Sequence, residues 1–156
     1  MKHIKKFEHT TKQTKTYPIN KFLIHEHSQK YFRNQYKFEV LYVDFAEKAI
    51  LGNAEYYSLQ VDYTIMYDND NKIHYNDKQR DWTYSYSEKD FNELDFMTAE
   101  ELYKKHDYLV IDIVERTLEN LQNNQNKRSI DFYNKIISMF NIPETEHLIN
   151  THKYNL

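Results

Sequence analysis

The chain has 156 residues with one glycine, two prolines and no cysteine, against fifteen tyrosines and nine phenylalanines. A single glycine, Gly52, excludes a phosphate-cradling loop or a dinucleotide fingerprint, which need several positions of close backbone approach. The missing cysteine excludes thiol nucleophiles, disulfides and zinc ribbons, and fits a reducing, cytoplasmic setting. A mean hydropathy of −0.93 alone would suggest disorder, but an aromatic share of 16% opposes it, because disordered chains are poor in aromatics. One α+β domain spanning residues 1–156 is therefore expected, with Lys, Asn and Asp on the surface of an aromatic core.

Residues 1–16 are basic and threonine-rich and read as a flexible or edge segment. They open with Met1-Lys2-His3-Ile4-Lys5-Lys6 and show no apolar run of a signal peptide. No stretch reaches the ~18 apolar residues of a membrane span. Ile19 to Tyr36 is read as a helix on the spacing of Phe22, Leu23, Phe32 and Tyr36, with Lys21 to His25 equally readable as a short strand.

Residues 37–45 predict a strand, and Gly52-Asn53 a turn. Period two then runs from Tyr57 to Tyr67, placing Tyr57, Leu59, Val61, Tyr63, Ile65 and Tyr67 on one core-facing side. Asp68-Asn69-Asp70-Asn71 is turn chemistry, since short Asx side chains bond their own backbone. Lys72 to Asn76 returns as a hairpin partner, and Arg80 to Tyr86 alternates with Trp82, Tyr84 and Tyr86 on one face. The result is an antiparallel meander.

The period then changes to three and four. Thr98-Ala99-Glu100-Glu101 is a capping box, and one long amphipathic helix is expected over 98–122 with His106 on its apolar face. A second helix follows near 129–140, burying Ile130, Tyr133, Ile136, Ile137 and Phe140. Pro143, Glu144 and Glu146 suit the first turn of a third. The predicted fold class is α+β: an antiparallel β meander packed against a C-terminal helical segment with one long helix.

Candidate chemistry is sparse. His25-Glu26-His27 on a strand would put two imidazoles on one face, but two ligands do not make a metal site. Asp68 to Lys72 begins like a calcium loop, then fails it at Lys72 and lacks the closing glutamate. Asp70-Asn71-Lys72 matches half of a metal-dependent nuclease motif, without a partner acid. No catalytic set, cofactor or metal is assigned. The tyrosines say more. Tyr56, Trp82, Tyr84 and Tyr86 cannot all be buried with Tyr57, Tyr63 and Tyr67 unless both sheet faces are covered. Exposed aromatics beside charge mark protein contact sites. Glu115 and Glu119, with Glu101 and Asp112, form a solvated helix face.

Charge is split along the chain. Residues 1–37 carry nine Lys/Arg and two acids, whereas residues 38–119 carry eight Lys/Arg and nineteen acids. The acidic stretch disfavours direct nucleic-acid binding at the sheet. Seventeen Lys against four Arg, with abundant Asn, Tyr and Ile, follow A/T-rich codons and point to a low-GC genome, such as that of a Gram-positive bacterium or its phages.

In size, composition and character the whole chain resembles the small anti-CRISPR proteins of phages and mobile elements that inhibit type II RNA-guided nucleases. The resemblance rests on no motif and transfers no functional residue. It implies a non-enzymatic inhibitor in the host cytoplasm that contacts a basic nucleic-acid-binding nuclease; the residues expected at the contact, read from their exposure and charge, are Tyr56, Trp82, Tyr84, Tyr86, Glu115 and Glu119. The alternatives are a nucleic-acid-binding accessory protein using the basic N-terminal region, and a metal-dependent nuclease.

Overall fold

Two long strands, joined by a two-residue turn, form the centre of a five-stranded antiparallel sheet. The computed structural model describes residues 15–26, 36–77 and 84–154. Strand β1 is Lys15–Glu26, β2 is Tyr36–Leu51, β3 is Ala54–Asp68, β4 is Ile73–Asn76 and β5 is Ser85–Ser87. Their order is β1-β2-β3-β4, and β5 pairs with the other end of the β3 edge that β4 uses. Gly52 turns β2 into β3 at φ +63°, a conformation open to glycine at little cost.

Short helix α1, Glu88–Asn92, follows β5 and is capped by the Ser87 hydroxyl, which accepts from the Asp90 N–H. The chain divides after Phe96 into two compact units, 1–96 and 97–156. The second unit is helical: α2 Ala99–Lys105, α3 Asp107–Asn123, α4 Lys127–Met139 and α5 Glu146–Tyr154. Meander and helices together make the fold α+β, as the sequence predicts.

β1 replaces the helix read over Ile19 to Tyr36, and residues 27–35 lie outside the described ones. Phe22 and Leu23 are adjacent and both buried, because the sheet is covered on both faces at that level. Two neighbouring apolar residues in a strand imitate the i, i+1 edge of a helical stripe.

Double coverage also overturns the single core face read from Tyr57 to Tyr67. Tyr42 pairs with Tyr63, but Val43 pairs with Val61, so Asp62 is an extra residue in β3. Asp44 is the matching extra residue in β2, between the Val43–Val61 and Phe45–Gln60 pairs. A one-residue insertion reverses which way every later side chain points. Tyr57, Leu59 and Val61 therefore join Leu23, Leu41, Val43 and Ala46 on one face, beneath Tyr84, Tyr86, Phe91, Leu94 and Phe96. Tyr63, Ile65 and Tyr67 lie on the opposite face with Phe22, Phe38, Val40 and Tyr42. There Tyr42 stacks on Tyr63 at 5.6 Å between ring centroids, and Phe38 on Tyr67 at 4.7 Å.

In the helical unit the capping box forms on both sides: Thr98 Oγ1 accepts from the Glu101 N–H at 3.2 Å, and Glu101 Oε1 from the Thr98 N–H at 3.3 Å. The expected single helix over 98–122 breaks at His106, whose φ of −143° and ψ of 61° are not helical. His106 is exposed and is not the core histidine its spacing suggested. The break restarts the helical phase, and α3 then buries Val110, Ile113, Val114, Thr117 and Leu118. α4 buries Ile136 and Ile137, while Ile130 and Tyr133 are only half-buried. α5 starts at Glu146, three residues after Pro143. The buried Thr145 hydroxyl turns the chain into it by donating to the Phe140 carbonyl and accepting the Ile142 N–H.

Deleting Asp62 makes Val61 the neighbour of Tyr63, paired regularly with Val43, so Tyr57, Leu59 and Val61 should keep their face and unfolding should stay cooperative, read by near-ultraviolet circular dichroism in urea. Asp62→Ala keeps the residue count and should cost no more than about 1 kcal/mol. Loss of the cooperative transition on deletion would show that Asp62 is not the extra residue of β3.

Candidate interaction surface

The first polar cluster in the sheet unit is built on Glu39. β1 and β2 place His25 directly opposite Glu39, and Glu39 is only 4% exposed. A buried carboxylate is costly unless donors satisfy it. The Tyr84 hydroxyl donates to Glu39 Oε1 at 2.6 Å, and His25 Nδ1 lies 3.2 Å from the same oxygen. The His25 ring also meets the Tyr84 ring edge-on, with centroids 5.6 Å apart. Two strands, β1 and β2, and Tyr84 just before β5 are thereby tied through one side chain.

Burial, reinforced by the Glu39 charge, pushes the Tyr84 phenol far above the usual tyrosine range. Burial and then Glu39 raise Tyr86 as well. A phenol so strongly held in its protonated form is no base or nucleophile near neutral pH. The cluster clamps the fold. An inward-pointing Glu in the run Phe38-Glu39-Val40-Leu41 was the available signal, and period two does not distinguish such a residue from a solvent-facing one.

His25 thus faces Glu39, and His27, the other half of the sequence's imidazole pair, lies outside the described residues. Among the described residues no group of three His, Cys, Asp or Glu could hold a metal. The calcium-like stretch is a turn. Asp68 Oδ1 accepts from the backbone N–H of Asp70 at 2.8 Å and of Lys72 at 2.9 Å, and Asp68 Oδ2 lies 2.8 Å from His74 Nε2. The His74 contact, then the Lys72 N–H, hold the Asp68 carboxyl below the usual range. Asn71 closes the turn at φ 61°, a left-handed conformation that asparagine tolerates. A shallow hollow of about 300 Å³ beside it is lined by Tyr36, Asp68, Asn69, Asp70 and His74.

The aromatic residues proposed for contact do not form one patch. Tyr84 is buried at 7%, and Tyr86 packs half-buried against the same core. Trp82 lies outside the described residues. Tyr56 remains exposed at 44%. Glu115 and Glu119 belong to the other unit, where α3 presents both to solvent opposite its buried stripe.

Sequence reading missed Tyr108 in the first turn of α3, the most exposed large hydrophobic residue described, at 84%. It stands seven residues before Glu115 and eleven before Glu119, which places all three on one helical face. Asp112 lies on the same side and pairs with Arg116 at 3.0 Å. The assumed continuous helix obscured this, since Tyr108 then sat mid-helix with no sign that a new first turn began there.

No family model, curated protein or solved structure matches the chain. No described helix is long and apolar enough to cross a membrane.

The Glu39 clamp has a pH signature. The folded state holds the Tyr84 proton more tightly than the unfolded chain. Its contribution is fully present below about pH 10, the ordinary tyrosine value, and is lost as pH rises beyond it. Tyr84→Phe should cost about 1–3 kcal/mol at neutral pH by leaving Glu39 short of a donor. It should also flatten the alkaline loss of stability, leaving the share due to Tyr63 and Tyr86, which are raised too. Urea midpoints between about pH 8 and 11 measure both effects, and an unchanged alkaline slope would exclude the clamp.

Proposed function

We propose that this chain is a non-enzymatic binding protein that captures a basic partner protein and inhibits it. A nucleic-acid-targeting enzyme of the host, such as a type II RNA-guided nuclease, is the partner class that the sequence profile suggests. The observation that carries the reading is the outer face of α3, where the exposed Tyr108 stands in line with the exposed Glu115 and Glu119. An exposed tyrosine brings contact area at low entropic cost and is enriched at binding hot spots. Carboxylates around it steer a cationic surface into place and repel nucleic acid. The same helix buries five residues on its other side, so this face is held on a rigid support.

The partner, isolated by pull-down from a low-GC Gram-positive host and identified, is then titrated at two salt concentrations. Glu115→Lys with Glu119→Lys should slow association at low salt by about tenfold and lose most of that effect at high salt. Tyr108→Ala should mainly speed dissociation. The protein should inhibit the partner's nucleic-acid cleavage and hydrolyse no DNA, RNA or nucleotide itself. Salt-independent binding untouched by all three substitutions would overturn the α3 assignment. Tight duplex DNA binding lost on neutralising Lys5, Lys6, Lys12 and Lys15 would favour the accessory nucleic-acid-binding alternative.

A further inference from the structure

The outer face of α3 is a narrow stripe. At 3.6 residues per turn, Tyr108, Asp112, Glu115, Glu119 and Gln122 fall within about 40° either side of one line along the helix. Their separations alternate four, three, four, three. That alternation is the repeat of the seam along which two helices pack side by side. Here the seam points to solvent: Tyr108 is 84% exposed, and Glu115, Glu119 and Gln122 are exposed with it. The packing of α3 within its own unit uses the opposite side, where Val110, Ile113, Val114, Thr117 and Leu118 are buried.

Charge and spacing together define what fits. Glu115 and Glu119 carry the stripe's negative charge outward, since Asp112 is paired with Arg116 at 3.0 Å. The stripe is about 21 Å long, and its successive positions rise by about 6 and 4.5 Å in turn. A second α-helix laid along it presents side chains at the same alternating rise, so cations spaced four and three apart meet the carboxylates in register. An extended strand covers that length in about three same-face steps of roughly 6.6–6.8 Å, against the stripe's four. A nucleic acid brings charge of the same sign. Tyr108 ends the stripe with a ring whose exposed face suits an apolar side chain.

We propose that this face of α3 receives a basic α-helix of the partner, with Lys or Arg at four- and three-residue spacing opposite Glu115 and Glu119 and an apolar side chain against Tyr108. This rests on the proposed function in taking α3 as the contact face; the helical form of the occupant is tested with peptides.

The probe is an alanine-based helical peptide of about 21 residues, acetylated and amidated, with arginines at alternating four- and three-residue spacing and one leucine to meet Tyr108. The control has the same composition with its arginines at every second position, which spreads them around a helix and aligns them on a strand. Each is titrated into the full chain while backbone amide shifts are followed by NMR. The patterned peptide should shift residues 108–122 with a dissociation constant on the order of 0.1 mM at low salt, and the control should bind at least about tenfold more weakly. Glu115→Gln with Glu119→Gln should weaken the patterned peptide by about tenfold and leave the fold intact, since both side chains are exposed. Tyr108→Ala should weaken it several-fold. No binding of the patterned peptide at α3, equal or tighter binding of the control, or binding unchanged in the Gln variants overturns the proposal. If the α3 charge reversals slow the partner while the two peptides bind alike, the proposed function stands and the helical occupant falls. If the patterned peptide binds α3 as expected while the partner's binding ignores the α3 reversals, the face receives a basic helix and the proposed function falls.

Discussion

In β3 the large apolar residues Leu59, Val61, Tyr63 and Ile65 recur at every second position, so strict alternation would crowd all four onto one face unless something resets it. β2 and β3 meet that constraint at one level, where Asp44 in β2 and Asp62 in β3 are extra residues placed almost opposite one another; a further shift lies at Lys37, near the start of β2. The reset lets Leu59 and Val61 cover one face while Tyr63 and Ile65 cover the other. Two bulges at one level keep the strands in step, so pairing resumes and continues to the Gly52 turn. Most of the sheet unit follows from this. The segment from Tyr84 to Phe96 folds over one face because Leu59 and Val61 point that way.

The Glu39 cluster secures the same arrangement electrostatically. Its carboxylate oxygen meets a tyrosine and a histidine far apart in sequence whose rings touch edge-on. A polar group buried this deeply adds little net stability but penalises alternatives strongly, since any register that separates it from Tyr84 strands a charge. It favours one pairing of β1 with β2 over its one-residue slips, which the apolar residues at Phe22, Leu23 and Ile24 would tolerate on a doubly covered sheet.

The helical unit separates support from display. α3 contacts α2, α4 and α5, and its inner stripe is buried. Its outer face keeps Tyr108, Glu115 and Glu119 exposed. The break at His106 contributes here, since it places Tyr108 in a first turn.

Local chemistry alone determined a good deal of this protein. The Gly52 turn, the Asp68 turn, the Thr98–Glu101 capping box, the α4 span and the α+β class were legible because each depends on residues close in sequence. Glu115 and Glu119 were legible as solvated for the same reason, their three- and four-residue spacing from an apolar stripe. Tertiary structure decided the rest. That β1 is a strand, that Asp44 and Asp62 reverse the faces, that Tyr84 is bonded to Glu39 and withdrawn from the surface, and that the helix restarts after His106 all depend on what lies across from each residue. Periodicity records which positions are apolar, and a strand covered on both sides is apolar in either direction. Only the neighbouring strand determines which way a side chain points.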